Sequence, residues 1–473
     1  MKKIIISLVV LSTVLVSCNG FLVQEPVLTQ SNELILSDYT GLNNATAGAY
    51  SPLQSVNWYG ANFILSSELR GGNGKNPTNP DFTSGRYTSE YQWSFTASIT
   101  SPLWNTAYFV ISAANNVINN LDGKETSEVT IADLNNLKAE CLFLRALSHF
   151  DLVRTYAQPY TYDSLSKGVP VVLISTIAQP ARNTVAEVYS QVVKDLLEAE
   201  SIIGANYTRT GVSDPAAVVS KPAVQALLSR VYLYMGKWQA SADYATKVIS
   251  NGKYKMFSAS EYASQWGLNT AKTGGEVIFE VFGSQKNEYW GSWEVISWIV
   301  YPGGYGDVSS TADLRNLYEA SDVRGKVFIS DPNAPDHFWT LKYPGKDGTN
   351  HLENNTVVLR LSEMYLNRAE AIQHGAVVPG ITAAADLLTI TSNRGASAIA
   401  SPSFPSIFDE RRKELAFEGQ IVYDYARTQT SLFRTDYDGV ANKDVPFPSY
   451  KWALPIPKRE IDANPNMVQN DEY

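Results

Sequence analysis

The sequence contains little of the chemistry on which most enzymes and metalloproteins depend. Only four histidines are present, and they lie far apart without the spacing of metal ligands, at His149, His337, His351 and His374. A histidine-based metal site is therefore not expected. A Gly-rich phosphate loop, a Gly-x-Ser-x-Gly elbow and a CxxC pair are also missing. We expect a binding protein with no catalytic residues, no metal and no cofactor.

Positive charge is also scarce. Lysine and arginine total 38 against 47 aspartates and glutamates, so the formal net charge is −9. Nucleic acids and anionic lipid surfaces attract clustered lysine and arginine, and neither is an expected partner. The carboxylates of Glu288, Glu294 and Asp307 could in principle form a hydrolytic acid/base pair. We interpret them as solvated surface charge instead.

Long apolar runs are missing after the N-terminus. Residues 4–16 are largely apolar, follow Lys2 and Lys3, and precede Ser17. This run is shorter than the ~20 residues of a membrane-spanning helix and has the order of a secretory signal. Residues 15–18 (LVSC) resemble a bacterial lipobox, whose cysteine is lipidated and becomes the new N-terminus. We predict a signal peptide over 1–17, lipidation of Cys18 and a tether over 18–31, which leaves Cys141 without a disulfide partner.

Most of the remaining chain has helical periodicity. The longest predicted helix covers 131–156 and is apolar on two faces, as is typical of a helix packed between neighbours. Residues 221–235 and 240–251 form a predicted helix pair with a turn at Gly236, and 359–371 with 381–390 form a second pair. Small residues at the helix crossings and the Gly-x-Trp turn match the tetratricopeptide pattern. Such repeats present a surface to another protein or serve as internal scaffold, and the sequence favours neither.

Residues 253–350 have a different character. They are rich in glycine, tyrosine, tryptophan and asparagine, and only 276–282 alternates like a strand. The chain has 27 tyrosines and 10 tryptophans, and several of them are concentrated within 289–305. Exposed aromatic side chains on loops form a ligand platform, whereas a packed loop is the alternative. We favour the platform.

Three stretches of the sequence resemble a known family. Residues 139–156 read AECLFLRALSHFDLVRTY, residues 359–371 read LRLSEMYLNRAEA, and residues 410–419 read ERRKELAFEG; LPIP at 454–457 and EIDANPN at 460–466 follow them. In this order behind a lipobox, they resemble the SusD/RagB family of outer-membrane nutrient-binding lipoproteins of Bacteroidota. The resemblance covers essentially the whole mature chain. It departs where Ile421 stands in place of the family's arginine.

The resemblance implies a mostly α-helical, SusD-like body over 32–473. Its N-terminal part covers about 32–252 and its C-terminal SusD/RagB part about 253–473, with tetratricopeptide-like helix hairpins and a loop-rich, aromatic-rich ligand region. Family members sit on the outer face of the outer membrane over a SusC-like TonB-dependent transporter, to which they deliver oligosaccharides. We therefore expect a lipid-anchored protein that faces the cell exterior and has this partner and this class of ligand.

The same resemblance implies a ligand site made of stacking rings and amide side chains. Its expected segments are the loop 70–79, residues 91–93 and the aromatic stretch 289–305. The expected site residues are Trp93, Trp290, Trp293, Trp298, Tyr301, Asn73 and Asn76. The arginines and glutamates of the family stretches are interpreted as structural groups that join helices through charge-assisted hydrogen bonds.

Two alternatives to oligosaccharide binding remain open. A peptide ligand, as in the RagB-like branch, would use the same fold and a groove with asparagine contacts. A lipid-anchored hydrolase would use two of the carboxylates Glu288, Glu294 and Asp307. The sequence favours the oligosaccharide.

Overall fold

The computed structural model describes residues 32–78, 84–212, 214–267, 275–346 and 350–473. The predicted signal peptide, Cys18 and the tether to residue 31 lie outside the described residues. Within them, no helix is both long enough and apolar enough to cross a membrane. The fold is mostly helical, as predicted, with short strands between helices.

The helices are α1 (Asn32–Ile35), α2 (Tyr39–Tyr50), α3 (Asn62–Arg70), α4 (Thr88–Gln92), α5 (Leu103–Ile118), α6 (Ile131–Tyr156), α7 (Tyr160–Asp163), α8 (Val185–Ile202), α9 (Lys221–Tyr234), α10 (Trp238–Ser250), α11 (Ile296–Ile299), α12 (Ala312–Arg315), α13 (Leu361–Gln373), α14 (Ala383–Arg394), α15 (Phe404–Glu414), α16 (Ile421–Arg427) and α17 (Lys458–Ala463). The strands are β1 (Gly74–Lys75), β2 (Val277–Val281), β3 (Ser309–Ser310), β4 (Phe328–Asp331), β5 (Ala334–Thr340) and β6 (Thr356–Arg360).

The long helix α6 forms the centre of the N-terminal part and confirms the predicted span. A capping box begins it: the Asp133 amide donates to Thr130 Oγ1 at 3.3 Å, and the Thr130 amide donates to Asp133 Oδ2 at 2.9 Å. These bonds satisfy donors that the first helical turn leaves free. Because α6 packs against α5 on one side and α8 on the other, Leu144 and Phe150 are both fully buried.

The two predicted helix pairs are also present. Helices α9 and α10 pack together across a turn at Gly236, whose φ of +66° lies in the left-handed region that favours glycine. Helices α13 and α14 form the second pair, and α10 packs against α13. The second pair starts later than predicted, because Leu359 and Arg360 belong to β6 and pair with β2 in an antiparallel ladder.

The predicted strand over 276–282 is confirmed as β2, whose residues are all buried. The expected loop over 70–79 contains a short strand, β1. Gly74 and Lys75 pair with Ser310 and Ser309 of β3, in a small sheet of order β1-β3-β5-β4. This pairing fixes the loop after α3 beside the segment that follows the aromatic stretch.

A buried charge network holds the C-terminal helices together. It consists of Glu276, Arg324, Arg360, Arg394, Glu414 and Glu418. Glu414 receives hydrogen bonds from Arg360 at 2.6 Å, Arg394 at 2.8 Å and Arg324 at 2.9 Å. Burial alone would raise the pKa of Glu414, but the three guanidinium groups outweigh it and hold that pKa well below its usual value. The structural interpretation of Arg360, Glu414 and Glu418, which are the members from the family stretches, is confirmed.

Candidate ligand-binding surface

The aromatic stretch is an irregular segment that follows β2, and hydrogen bonds fix it to the N-terminal part of the chain. The Gln54 amide nitrogen donates to the Ser284 carbonyl at 2.9 Å. The Asn287 amide nitrogen donates to the Ser51 carbonyl at 3.1 Å. Further along, the backbone N–H of Ile296 donates to the carbonyl of Gly60 at 2.8 Å. The segment is therefore held in one position against the residues between α2 and α3.

Four rings of this segment form a cluster around Trp298, which we call the aromatic ridge: Trp293, Trp298, Tyr301 and Tyr305. Trp293 is 48% exposed, and its ring centroid lies 5.0 Å from that of Trp298. The Trp298 ring lies 6.1 Å from Tyr301 and 6.5 Å from Tyr305. The last three rings are half-buried, so Trp293 presents the largest exposed ring surface of the four.

His351 extends the ridge by one more flat surface. Its ring lies parallel to that of Tyr301, with centroids 3.9 Å apart and planes 7° apart. The Ser297 hydroxyl donates to the His351 carbonyl at 2.7 Å and fixes the backbone. Burial lowers the pKa of the His351 imidazole below its usual value, so the ring is neutral near pH 7. Behind the stack lies a cavity of about 130 Å³ that Trp339 and Tyr343 also line.

A charged edge borders the ridge. The Arg86 guanidinium lies over the Tyr305 ring at 4.2 Å and donates to Glu294 at 2.5 and 3.0 Å. It also donates to the Asp307 carboxylate at 3.1 Å. The bond to Glu294 is the main reason why the pKa of Arg86 is raised above its usual value. Two carboxylates thus neutralise the cation beside the ridge.

The interpretation of Asp307 as solvated charge is wrong. Its side chain is 1% exposed, and it accepts hydrogen bonds from the backbone N–H of Ser84 at 2.9 Å and from the Ser84 hydroxyl at 2.7 Å. A carboxylate with three donors is a structural group that positions Arg86. Glu288 is exposed, as expected.

Trp290 is not part of the aromatic ridge. Its indole N–H donates to the Leu352 carbonyl at 3.1 Å, and the residue is half-buried. The indole therefore joins the segment to residues 350–354. It presents less free surface than Trp293.

Trp93 and Asn73 are not surface contacts, contrary to the sequence expectation. Trp93 is 3% exposed; its indole N–H donates to the Arg70 carbonyl at 3.1 Å, and its ring packs edge-on against Trp452 at 4.9 Å. Asn73 is fully buried and donates to Glu68 at 2.8 Å. These two side chains hold the loop after α3, because the core provides both with partners.

Asn76 is half-buried and has a supporting position. Its amide nitrogen donates to the carbonyls of Arg86 and Asp307, at 3.1 and 3.2 Å. It therefore joins the loop after α3 to the charged edge of the ridge. Residues 79–83 of the same loop lie outside the described residues.

The structure brings three of the expected site residues, Trp293, Trp298 and Tyr301, into contact. Tyr305, Arg86 and His351 lie beside them and were not among the expected site residues. Arg86 and Glu294 are 208 positions apart, and no local pattern signals such a pair. For His351, the sequence indicates only that it lacks the spacing of a metal ligand. Across the described ranges, no group of three or more His, Cys, Asp or Glu residues has the arrangement of a metal site.

Comparison with protein families gives two matches in this chain. A family model described as "Starch-binding associating with outer membrane" matches residues 21–233. A second model, described as "SusD family", matches residues 334–473. The two matched ranges lie on either side of the segment that carries the aromatic ridge.

Individual proteins give the same result over almost the full length. SusD-like protein P2 of Formosa agariphila is 24% identical over 533 aligned positions, which cover 100% of this chain and 99% of that protein. The crystal structure of a SusD superfamily protein from Bacteroides thetaiotaomicron is 31% identical, with a TM-score of 0.81, and covers 92% of this chain and 100% of that chain. A SusD superfamily protein from Bacteroides vulgatus is 28% identical, with a TM-score of 0.81 and coverage of 92% and 99%.

Proposed function

This chain belongs to the SusD superfamily, and from that premise we propose that it is a glycan-binding protein whose ligand lies on the aromatic ridge. The observation that carries the proposal is the group of contacting rings Trp293, Trp298 and Tyr301, in which Trp293 is 48% exposed and Tyr301 stacks on His351. A sugar ring has an apolar C–H face and a polar rim. The C–H face stacks on an aromatic ring, while side chains at the edge of the ridge bind the hydroxyl groups.

The charged edge suits hydroxyl groups better than it suits anions. Because Glu294 and Asp307 already pair with Arg86, no net positive charge is offered to an acidic ligand there. Glu294 is 40% exposed and retains acceptor capacity for a hydroxyl donor. Both features support a neutral glycan as the ligand.

We propose that the protein works at the outer membrane, held by lipid at Cys18, and that it passes its ligand to a SusC-like TonB-dependent transporter. The lipobox at residues 15–18 and the outer-membrane description of the matching family model support this location. Orientation toward the cell exterior follows from the same role, since the ligand comes from outside.

We also propose that the protein binds without turnover. The carboxylates of the hydrolase alternative do not form a free pair, since Glu294 and Asp307 are both engaged by Arg86. The expected signature is saturable binding with the ligand recovered intact.

Calorimetric titration of the chain from residue 19 against neutral oligosaccharides and a peptide digest tests this proposal. We expect heat with one glycan class, and a loss of affinity of at least tenfold in the Trp293→Ala/Tyr301→Ala variant. Phe433→Ala is the matched control, because Phe433 is a 72% exposed ring outside the ridge, and it should bind like the parent. Binding to peptides alone, or full affinity in the ridge variant, contradicts the proposal.

A further inference from the structure

A second cleft lies on a part of the surface that the ridge does not use. Its volume is about 630 Å³, within the range of small-molecule sites. One wall is α7 with the turn that follows it, and the other consists of residues 448–453 and 469–472. We call it the C-terminal cleft; it shares no residue with the ridge or its charged edge.

Hydrogen bonds across the base hold the two walls of the cleft together. The Gln158 amide nitrogen donates to the carbonyls of Ser449 at 3.1 Å and Tyr450 at 3.4 Å. The Asn470 amide nitrogen donates to the carbonyls of Tyr156 and Leu454, at 2.8 and 2.7 Å. A cleft whose walls are fixed in this way loses little conformational entropy when a ligand binds.

The wall formed by α7 is also fixed from outside the cleft. The Thr161 hydroxyl donates to the carbonyl of Arg427 at 2.6 Å, and the Gln429 amide nitrogen donates to the carbonyl of Thr161 at 2.9 Å. Beyond α7, Asp163 Oδ1 accepts from the backbone N–H groups of Leu165 and Ser166, each at 3.1 Å. The short helix and its turn therefore form a rigid wall.

The cleft presents aromatic surface beside polar groups. Tyr162 is 47% exposed and rests edge-to-face on Phe447, with centroids 5.1 Å apart and planes at 84°. Tyr450 lines the opposite wall. At the floor, Gln158 Oε1 is buried and accepts no hydrogen bond from the protein.

The charges of the lining decide between ligand classes. Asp163, Asp471 and Glu472 contribute three carboxylates against the single cation of Lys167, so a phosphate, sulfate or uronate group would be repelled. The lining is too polar for an amphipathic helix to bury its apolar face there. Tyrosine rings beside carboxylates instead match a neutral molecule with many hydroxyl groups.

We propose that the C-terminal cleft is a second saccharide-binding site, which holds a neutral sugar unit between Tyr162 and Tyr450. Its ligand class rests on the proposed glycan-binding function, but its residues are independent of the ridge. A long polysaccharide could then contact the protein at two places, and the second contact would raise the avidity without any change in the ridge.

The test uses maltoheptaose and laminarihexaose as separate probes in calorimetric titrations. Four forms are compared: the parent, the ridge variant Trp293→Ala/Tyr301→Ala, the cleft variant Tyr162→Ala/Tyr450→Ala, and the variant with all four substitutions. With the probe that binds, we expect two sites in the parent, one in each double variant and none in the quadruple variant. Phe433→Ala controls for loss of an exposed ring.

The outcomes separate the two proposals. One site in the parent that the cleft variant retains overturns the second site and leaves the ridge intact. Binding that only the cleft variant loses overturns the ridge and retains the cleft. If neither probe gives a heat of binding, or if only peptides bind, both proposals are contradicted. Hydrogen exchange of the unmutated parent is an independent measurement: slower exchange over 160–167 with the probe supports the cleft, and unchanged exchange there contradicts it.

Discussion

The buried charge network and the aromatic ridge are built on opposite principles. In the network, Glu414 is fully buried and accepts hydrogen bonds from three arginine side chains. A charge buried in this way is stable only because its partners compensate it. On the ridge, Trp293 is half exposed and contacts Trp298 on one side. The first arrangement specifies how helices join, and the second leaves ring surface without a protein partner.

This difference explains why the family stretches identify the fold but do not locate the ligand. Glu414 and Arg360 belong to those stretches, and both are buried structural groups. The ridge belongs to none of them and lies between the two matched ranges of the chain. The family stretches of this chain therefore report on helix packing, whereas the proposed ligand contacts on the ridge come from a segment outside the two matched ranges.

The largest effect is expected from the network. Glu414→Gln leaves three arginines with one fewer compensating charge in a buried site, and we expect a loss of about 3–5 kcal/mol in the free energy of unfolding. Denaturant unfolding measures it. Molecules that remain folded should bind glycan with unchanged affinity, because the ridge does not contact the network.

Asp462→Asn is the control for that variant. Asp462 pairs with Lys458 on the surface at 2.7 Å, with both side chains 58% exposed, and surface pairs contribute about 0–1 kcal/mol. Equal losses of stability in the two variants would show that burial of the network does not distinguish it from surface charge.

Two tryptophans test the comparison directly. Trp93→Ala removes a core ring and should cost about 3–5 kcal/mol of stability, while Trp293→Ala should cost less than about 1 kcal/mol because half of that ring is already exposed. Glycan affinity should fall most in Trp293→Ala. Thermal unfolding and calorimetry measure the two quantities, and a stability loss in Trp293→Ala as large as in Trp93→Ala would place Trp293 in the core.

A pH-dependent effect of intermediate size is expected at Glu68, a buried residue of α3 that is bonded to the loop after this helix. Burial raises its pKa to about 7, although Asn73 and the N–H of Gly419 donate to it. Because the folded state holds this proton up to about pH 7 and the unfolded state releases it near pH 4.5, the contribution to stability is complete below about 4.5. It is lost as the pH rises to about 7.

Glu68→Gln isolates that contribution, since the amide does not titrate. The difference in the free energy of unfolding between variant and parent should shift by about 3 kcal/mol in favour of the variant between pH 4.5 and 7.5. Urea unfolding at a series of pH values measures it. Parallel curves for the two proteins would show that the pKa of Glu68 is not raised.

Local sequence was sufficient for the elements that depend on local pattern. The helix α6 has its own capping box at Thr130 and Asp133 and apolar residues on two faces, so its bounds follow from the residues themselves. The strand β2 follows from alternation in the same way. The start of α13 does not, because Leu359 and Arg360 have helical neighbours but pair with a strand about 80 positions earlier.

The proposed site depends on contacts between residues that are distant in the sequence, and this limited its prediction. Trp93 and Trp293 both follow polar residues in loop-like sequence, and tertiary contacts of Trp93 with Trp452 and Arg70 separate the buried ring from the exposed one. The pairing of Arg86 with Glu294 is likewise decided by the fold. Sequence therefore identified the aromatic segment, while the tertiary structure selected its exposed members.

The smallest effect on stability is expected at the charged edge, where the effect on selectivity should be clear. Glu294→Gln removes one of the two carboxylates that neutralise Arg86. The pair is partly exposed, so the free energy of unfolding should change by less than about 1 kcal/mol. Because Asp307 still pairs with Arg86, the charged edge then changes from one excess negative charge to none. The loss of this repulsion should raise affinity for a uronate-containing oligosaccharide several-fold relative to its neutral counterpart, and added salt should reduce the difference. Glu288→Gln makes the same change in net charge at an exposed residue, for which no bond to Arg86 is present among the described contacts. Equal gains in both variants would mean that net charge alone sets the preference, and a gain confined to Glu294→Gln would assign it to Arg86 beside the ridge.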